Sequence, residues 1–172
     1  MEGPAKLGIA VAVFSLLLFG GIILVDRGKN ATGEPLMGTF FESQGQAHIA
    51  VGAAHDPYNS NPPTSGPHYA EPADWGVYDR ELPDEQLIHN LEHGGVNIFY
   101  KPGGVNQETI DKLKLIQRAF PRKTVLTPRS VNNKPITLTS WTYLLELDSF
   151  DEATVREFIR RNKDKAPEYF PD

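Results

Sequence analysis

Apolar residues are arranged in two regimes along the chain. From Leu7 to Val25 the run LGIAVAVFSLLLFGGIILV carries no charge over nineteen residues. At about 1.5 Å per residue a helix of this length spans about 28 Å, close to the hydrocarbon thickness of a bilayer. Periodicity of the kind that builds a folded domain begins only after Pro83. Asp84 to His93 predicts a short helix, with Pro83 at its start and Gly94-Gly95 as its stop. Val96, Ile98 and Tyr100 alternate with Asn97 and Phe99, which predicts a strand. Behind Asn106, a capping residue, Ile110, Leu113, Ile116 and Phe120 form one helical stripe that Pro121 ends. Thr124 to Thr127 predicts a short strand, and Ile136 to Leu147 at least one longer strand. Ser149-Phe150-Asp151-Glu152 reads as a capping box ahead of Val155, Phe158 and Ile159 at helical spacing. The order helix, strand, helix, strand, strand, helix predicts an α+β fold with helices packed on a small sheet.

Between Phe40 and Pro83 neither period is present. Prolines 57, 62, 63, 67, 72 and 83 fix their own φ and hold their predecessors extended. Tyr58, Tyr69, Trp75 and Tyr78 supply large apolar bodies in the same stretch, so the segment predicts a long, proline-rich ordered coat over the core. The layout is therefore a short tail over residues 1–6, a transmembrane helix over 7–25, a juxtamembrane linker over 26–39 and a domain over 40–172. A cleaved signal peptide is the competing reading of the apolar run. That run is longer than a usual signal core, and Asp26 and Arg27 follow it where a small-residue cleavage site would stand. Lys6 on one side balances Arg27 and Lys29 on the other, so charge alone does not orient the helix. A six-residue tail is expected to stay inside, leaving the bulk of the chain extracytoplasmic, on the periplasmic, lumenal or cell-surface side.

Composition narrows the chemistry. Without its anchor the chain keeps about 140 residues, enough for a core that needs no staples. The absence of cysteine excludes disulfides, thiolate ligands and a cysteine nucleophile. A net charge of -5 argues against a nucleic-acid partner, which requires a basic surface. No serine sits in a nucleophile elbow, and no catalytic residue is assigned.

All five histidines, at 48, 55, 68, 89 and 93, lie in the first part of the domain, and residues 94–172 contain none. His89 and His93 are one helical turn apart, so their imidazoles share a face. Placed on a wheel they fall at roughly 200° and 240°, opposite an apolar stripe of Leu87, Ile88 and Leu91 centred near about 50°. They therefore turn away from the core, toward solvent or the coat. Asn61-Pro62-Pro63-Thr64-Ser65-Gly66-Pro67-His68 is a stiff segment that ends on a third imidazole. His68, His89 and His93 are accordingly the expected metal ligands, with Glu92, His48 or His55 as a fourth ligand or supporting group. Imidazoles suit Zn²⁺ or Cu²⁺, while the lack of cysteine and the single internal methionine, Met37, disfavour Cu(I). The competing reading is structural, with His93 facing the last helical carbonyls and His68 bonded to a loop carbonyl. His89 to His93 also spells H-x-x-E-H, the inverted zinc-peptidase pattern. Here two glycines end the helix at once, and Glu146, Glu152 and Glu157 offer no fixed third ligand.

Other features read as structural. Trp75, Tyr78 and Trp141 are expected as anchors. Arg156, Arg160, Arg161, Lys163 and Lys165 are expected on the solvated face of the last helix.

The segments NPPTSGPH at Asn61–His68 and HNLEHGG at His89–Gly95, behind an N-terminal anchor, resemble an uncharacterised bacterial membrane-anchored family, a domain of unknown function. The resemblance extends over roughly residues 40–170, including LTSW at 138–141 and APE at 166–168. It implies that the two histidine segments are a signature, and brings no activity or cofactor. The expected function is therefore that of a single-pass, membrane-anchored, extracytoplasmic metal-binding protein. It would hold a Zn or Cu ion and serve metal handling or support a membrane complex. The alternative is a non-catalytic accessory subunit with structural histidines, and the third reading is a small metallohydrolase.

Overall fold

The computed structural model describes residues 33–168. The coat contributes four two-residue strands: β1 (Thr39–Phe40), β2 (His48–Ile49), β3 (His68–Tyr69) and β4 (Gly76–Val77). The periodic part supplies α1 (Asp84–Glu92), β5 (Val96–Tyr100), α2 (Gln107–Ala119), β6 (Thr124–Pro128), β7 (Ile136–Ser140), β8 (Tyr143–Leu147) and α3 (Glu152–Asn162). Six strands form one mixed sheet in the order β1-β8-β7-β5-β6-β4, and β2 pairs with β3 separately. β5 runs parallel to β6, the two being joined through α2, and antiparallel to β7.

Alternation along β5 divides the molecule into layers. Val96 and Ile98 face a core completed by Leu113 and Ile116 of α2 and by Val155, Phe158 and Ile159 of α3. Phe99 faces the other way, into a smaller cluster with Leu87 of α1, Val125 and the coat residues Ala73 and Leu82. The sheet thus carries α2 and α3 on one face and α1 on the other, and the coat is laid over α1. Trp75 and Tyr78 pack against that second cluster as anchors.

The region 136–147 resolves into a hairpin closed by Trp141 and Thr142, with Thr142 at φ 62°. The Thr142 N–H donates to the Thr64 carbonyl (3.0 Å), and its carbonyl accepts from Phe41 (2.8 Å), so the hairpin tip binds the coat. At α3 the sequence expectation is corrected. The N-cap is Asp151, whose carboxylate accepts from the Thr154 N–H at 3.2 Å, not Ser149. Both residues fit an N-terminal pattern, and the short polar side chain nearest the first helical turn takes the role.

Among the described residues no helix is long and apolar enough to cross a membrane. The expected tail, the transmembrane segment 7–25 and linker residues 26–32 lie outside them. Contacts with the domain begin within the expected linker. Glu34 pairs with Arg160 at 2.6 Å, and the Met37 N–H donates to Asn162 at 2.9 Å. The basic face of α3 is matched along its own length by Arg156–Glu152 (2.7 Å) and Arg161–Glu157 (2.6 Å).

Candidate metal centre

The site lies where α1 meets the coat. Asn90 clamps the two together, its Oδ1 accepting from the Ala73 N–H (3.0 Å) and its Nδ2 donating to the Ala73 carbonyl (2.8 Å). Further along, the Tyr69 carbonyl meets the His89 ring, so the coat also covers the side of α1 opposite its apolar stripe. His89 turns away from the sheet core, as the wheel requires, yet it is buried, because a second layer covers that side.

Two rings are fixed by carbonyl groups, which can only accept hydrogen bonds. His89 Nδ1 donates to the Tyr69 carbonyl at 2.7 Å, and His68 Nδ1 donates to the Gly66 carbonyl at 2.8 Å. Each ring thus keeps its Nδ1 proton and turns Nε2 inward. His68 Nε2 lies 3.0 Å from Glu92 Oε2, with His68 fully buried and Glu92 1% exposed. With Nδ1 already donating, this approach requires either a proton or a cation shared between the ring and the carboxylate.

The parallel pairing of β2 with β3 sets His48 opposite His68 in register. His48 Nε2 reaches to 3.6 Å from the same Glu92 oxygen, with its own side chain 50% exposed. The ligand atoms of His48, His68, His89 and Glu92 all lie within 4.8 Å of one another, close enough to hold a metal ion. Three of the four are buried, and His48 stands at the mouth.

Of the three ligands expected from sequence, His68 and His89 fall in this group. His93, the C-cap of α1, lies beside it, its Nε2 3.1 Å from His89 Nε2. It belongs to a second group with Glu92 and Glu168, and its Nε2 is 3.4 Å from Glu168 Oε2. His55 is elsewhere, bonded to the Asp56 carbonyl (2.7 Å) and facing Glu85 at 3.4 Å. The bond to that carbonyl is the main cause holding its pKa above the usual imidazole value.

Electrostatics prepare the centre for positive charge. Burial pushes the Glu92 carboxyl upward, but the hydrogen bond from Gln46 (2.8 Å) and the nearby His68 and His89 outweigh it, and Glu92 ends below its ordinary value. Burial, followed by the charge of His89, holds His93 below the usual imidazole value against the pull of Glu168 and Glu92. Both shifts favour deprotonated, ligating forms.

The diglycine shapes the far wall. Gly94 has φ +80°, and a Cβ there would lie 3.0 Å from Asp164 Cα. A Cβ on Gly95 would meet the Asn90 carbonyl oxygen at 2.6 Å and Trp75 at 2.7 Å. With no side chains in the way, the segment after α3 docks here. Asp164 N–H donates to the Gly94 carbonyl (2.8 Å) and Glu168 N–H to the Glu92 carbonyl (3.4 Å). This docking brings Glu168 to the site. Sequence reasoning gave Gln46 and Glu168 no part in the site. Gln46 leaves no signal in a single sequence, whereas Glu168 ends the APE segment that the family resemblance had already set apart.

No curated protein and no solved structure matches the chain. A family match covers residues 53–170, over half of the sequence. It includes His68, His89, Glu92, His93 and Glu168, and begins just after His48. On that match the chain belongs to the family described as "Protein of unknown function (DUF3105)".

Proposed function

We propose that this chain is a membrane-anchored, extracytoplasmic metal-binding protein whose His48, His68, His89 and Glu92 side chains hold one Zn²⁺ or Cu²⁺ ion. Metal handling, or support of a membrane complex, is the role that follows. The observation that carries the reading is the His68–Glu92 contact. A buried imidazole whose Nδ1 is committed to a carbonyl turns its other nitrogen onto a buried carboxylate at 3.0 Å. A ligating histidine is typically held this way, one ring nitrogen bound to a backbone carbonyl and the other aimed at the metal. His89 repeats the arrangement through Tyr69. The donor set of nitrogen and oxygen, without sulfur, suits Zn²⁺ and Cu²⁺. The uncharged run Leu7–Val25 supports the anchor.

A hydrolase using H-x-x-E-H would need the Glu92 carboxylate to activate water. Instead one oxygen faces His68 and His48 while the other accepts from Gln46, an arrangement that favours a ligand over a base. The test is elemental analysis of the full chain beside a His68→Ala/His89→Ala variant, with far-UV circular dichroism as the control for folding. Zinc or copper is expected in the parent and absent from the folded variant. A parent that takes up neither metal after reconstitution sinks the proposal, and the histidines then belong to a structural network in an accessory subunit.

A further inference from the structure

We infer that Glu92 bridges two divalent-cation positions, the first held with His48, His68 and His89 and the second with His93 and Glu168. This extends the metal-binding proposal and rests on it. The argument starts from spacing. Adjacent donors around a tetrahedral ion with bonds of about 2.0–2.1 Å stand roughly 3.3 Å apart. Six side chains form a series made of two runs at about that spacing, linked through Glu92, whose ligand atoms lie within 4.8 Å of both runs. His48 and His68 lie 3.6 and 3.0 Å from Glu92 Oε2. His93 Nε2 lies 3.4 Å from Glu168 Oε2, and at 3.1 Å from His89 Nε2 it adjoins the first group without belonging to it. The series is too long for one ion, because its ligand atoms fall into two groups, each within 4.8 Å, that have only Glu92 in common. A carboxylate has two oxygens and can serve an ion on either side, and paired ions of this type stand about 3.5–4 Å apart.

The two positions differ in character. The first has three buried ligands and one at the surface. Among the described residues the second has three protein ligands, and Glu168 is 52% exposed. It therefore keeps an open coordination position for water or an exogenous anion, as exchangeable and catalytic sites do. Four neutral imidazoles and two carboxylates balance one divalent ion, so a second ion leaves positive charge that attracts an anion to that open position. The ligand class is thus a pair of first-row divalent cations, filled in the order buried, then open.

Titration of the metal-stripped full chain with Co²⁺ tests this, read by visible d–d absorption, electron paramagnetic resonance and bound metal after desalting. The parent should bind two equivalents, the second about tenfold or more weaker, with the resonance signal of the first altered as the second enters. Glu168→Gln and His93→Ala should each keep the first equivalent and lose the second, retention of the first serving as the control for folding. Saturation of the parent at one equivalent overturns the bridged pair and leaves the single-ion proposal standing. Two equivalents that neither substitution disturbs overturn it as well. Binding of no Co²⁺ by the parent removes the single-ion proposal together with the bridge.

Discussion

Replacing Glu92 by glutamine keeps the shape of the side chain and removes its charge, which isolates what the carboxylate does. Without metal, His68 Nε2 and Glu92 Oε2 share a hydrogen bond across 3.0 Å in a site where both groups are buried. A hydrogen bond between charged partners contributes about 1.5–3 kcal/mol. Stranding one member of a buried ion pair costs more, about 3–5 kcal/mol, but the glutamine amide can still hydrogen-bond His68 Nε2. The expected loss in metal-free protein is therefore about 2 kcal/mol, or about 4–8 °C in Tm for a domain of this size. Metal changes the comparison. At a free concentration of about 100 Kd, binding stabilises the parent by about 2.7 kcal/mol. Loss of a ligand should weaken binding at least as much as the roughly hundredfold upper range found for groups that merely support one. The variant then gains only about 0.4 kcal/mol at the same free metal concentration. The gap between parent and variant should widen from about 2 to about 4 kcal/mol when zinc is added, measured by urea unfolding with and without metal. A gap of the same size in both conditions refutes the assignment of Glu92 as a ligand.

Two further predictions concern stability away from the metal. Arg129 is buried and binds Asp84 in a two-pronged contact, Nε to Oδ1 at 2.8 Å and Nη2 to Oδ2 at 2.7 Å. Asp84→Ala should cost about 3–5 kcal/mol, seen as a lower urea midpoint at unchanged slope, because it leaves a buried guanidinium without its partner. Asp164 is pushed upward by burial, but its bonds from Lys123 (2.6 Å) and Lys163 outweigh that and hold it below its ordinary 3.8. A carboxyl depressed in the folded state adds stability that is complete above about pH 4 and disappears as pH falls through the folded value. The urea midpoints of the parent and Asp164→Asn should therefore differ at pH 6 and converge toward pH 2; a constant offset would contradict the linkage.

The periodic half of the chain could be read from its sequence, because five-residue strands and helices of nine or more residues repeat their apolar positions often enough to show a period. α1, β5 and α2 lie where alternation and helical spacing put them. The coat could be read only as ordered chain. A strand of two residues such as β2 or β3 has no period, so nothing in the sequence pairs His48 with His68. For the same reason His48 was one of three equal choices for a supporting group. The helical wheel turned His89 away from the sheet core, but it could not say that the coat would bury it. His93 follows His89 by one turn and shares its face, yet the end of the helix and the docking of residues 164–168 draw it toward Glu168. Such placement depends on contacts between distant segments, which local pattern does not encode.

The proposed ligands come from four stretches of chain, around residues 48, 68, 89–93 and 168, and this dispersion sets an order of assembly. His89 and Glu92 share one turn of α1 and are placed as soon as that helix forms, on the microsecond scale of helix formation. His68 must then close a loop of 24 residues to reach Glu92. Glu168 must wait until β5 to β8 and α3 have packed, because its segment docks on the diglycine only after they are in place. Each longer closure carries a larger entropic cost and comes later. A refolding chain should therefore regain helical signal first, capture an ion at the buried position next, and complete the open position last. On the two-ion proposal, uptake of metal would serve as a clock for the final docking of the C-terminal segment.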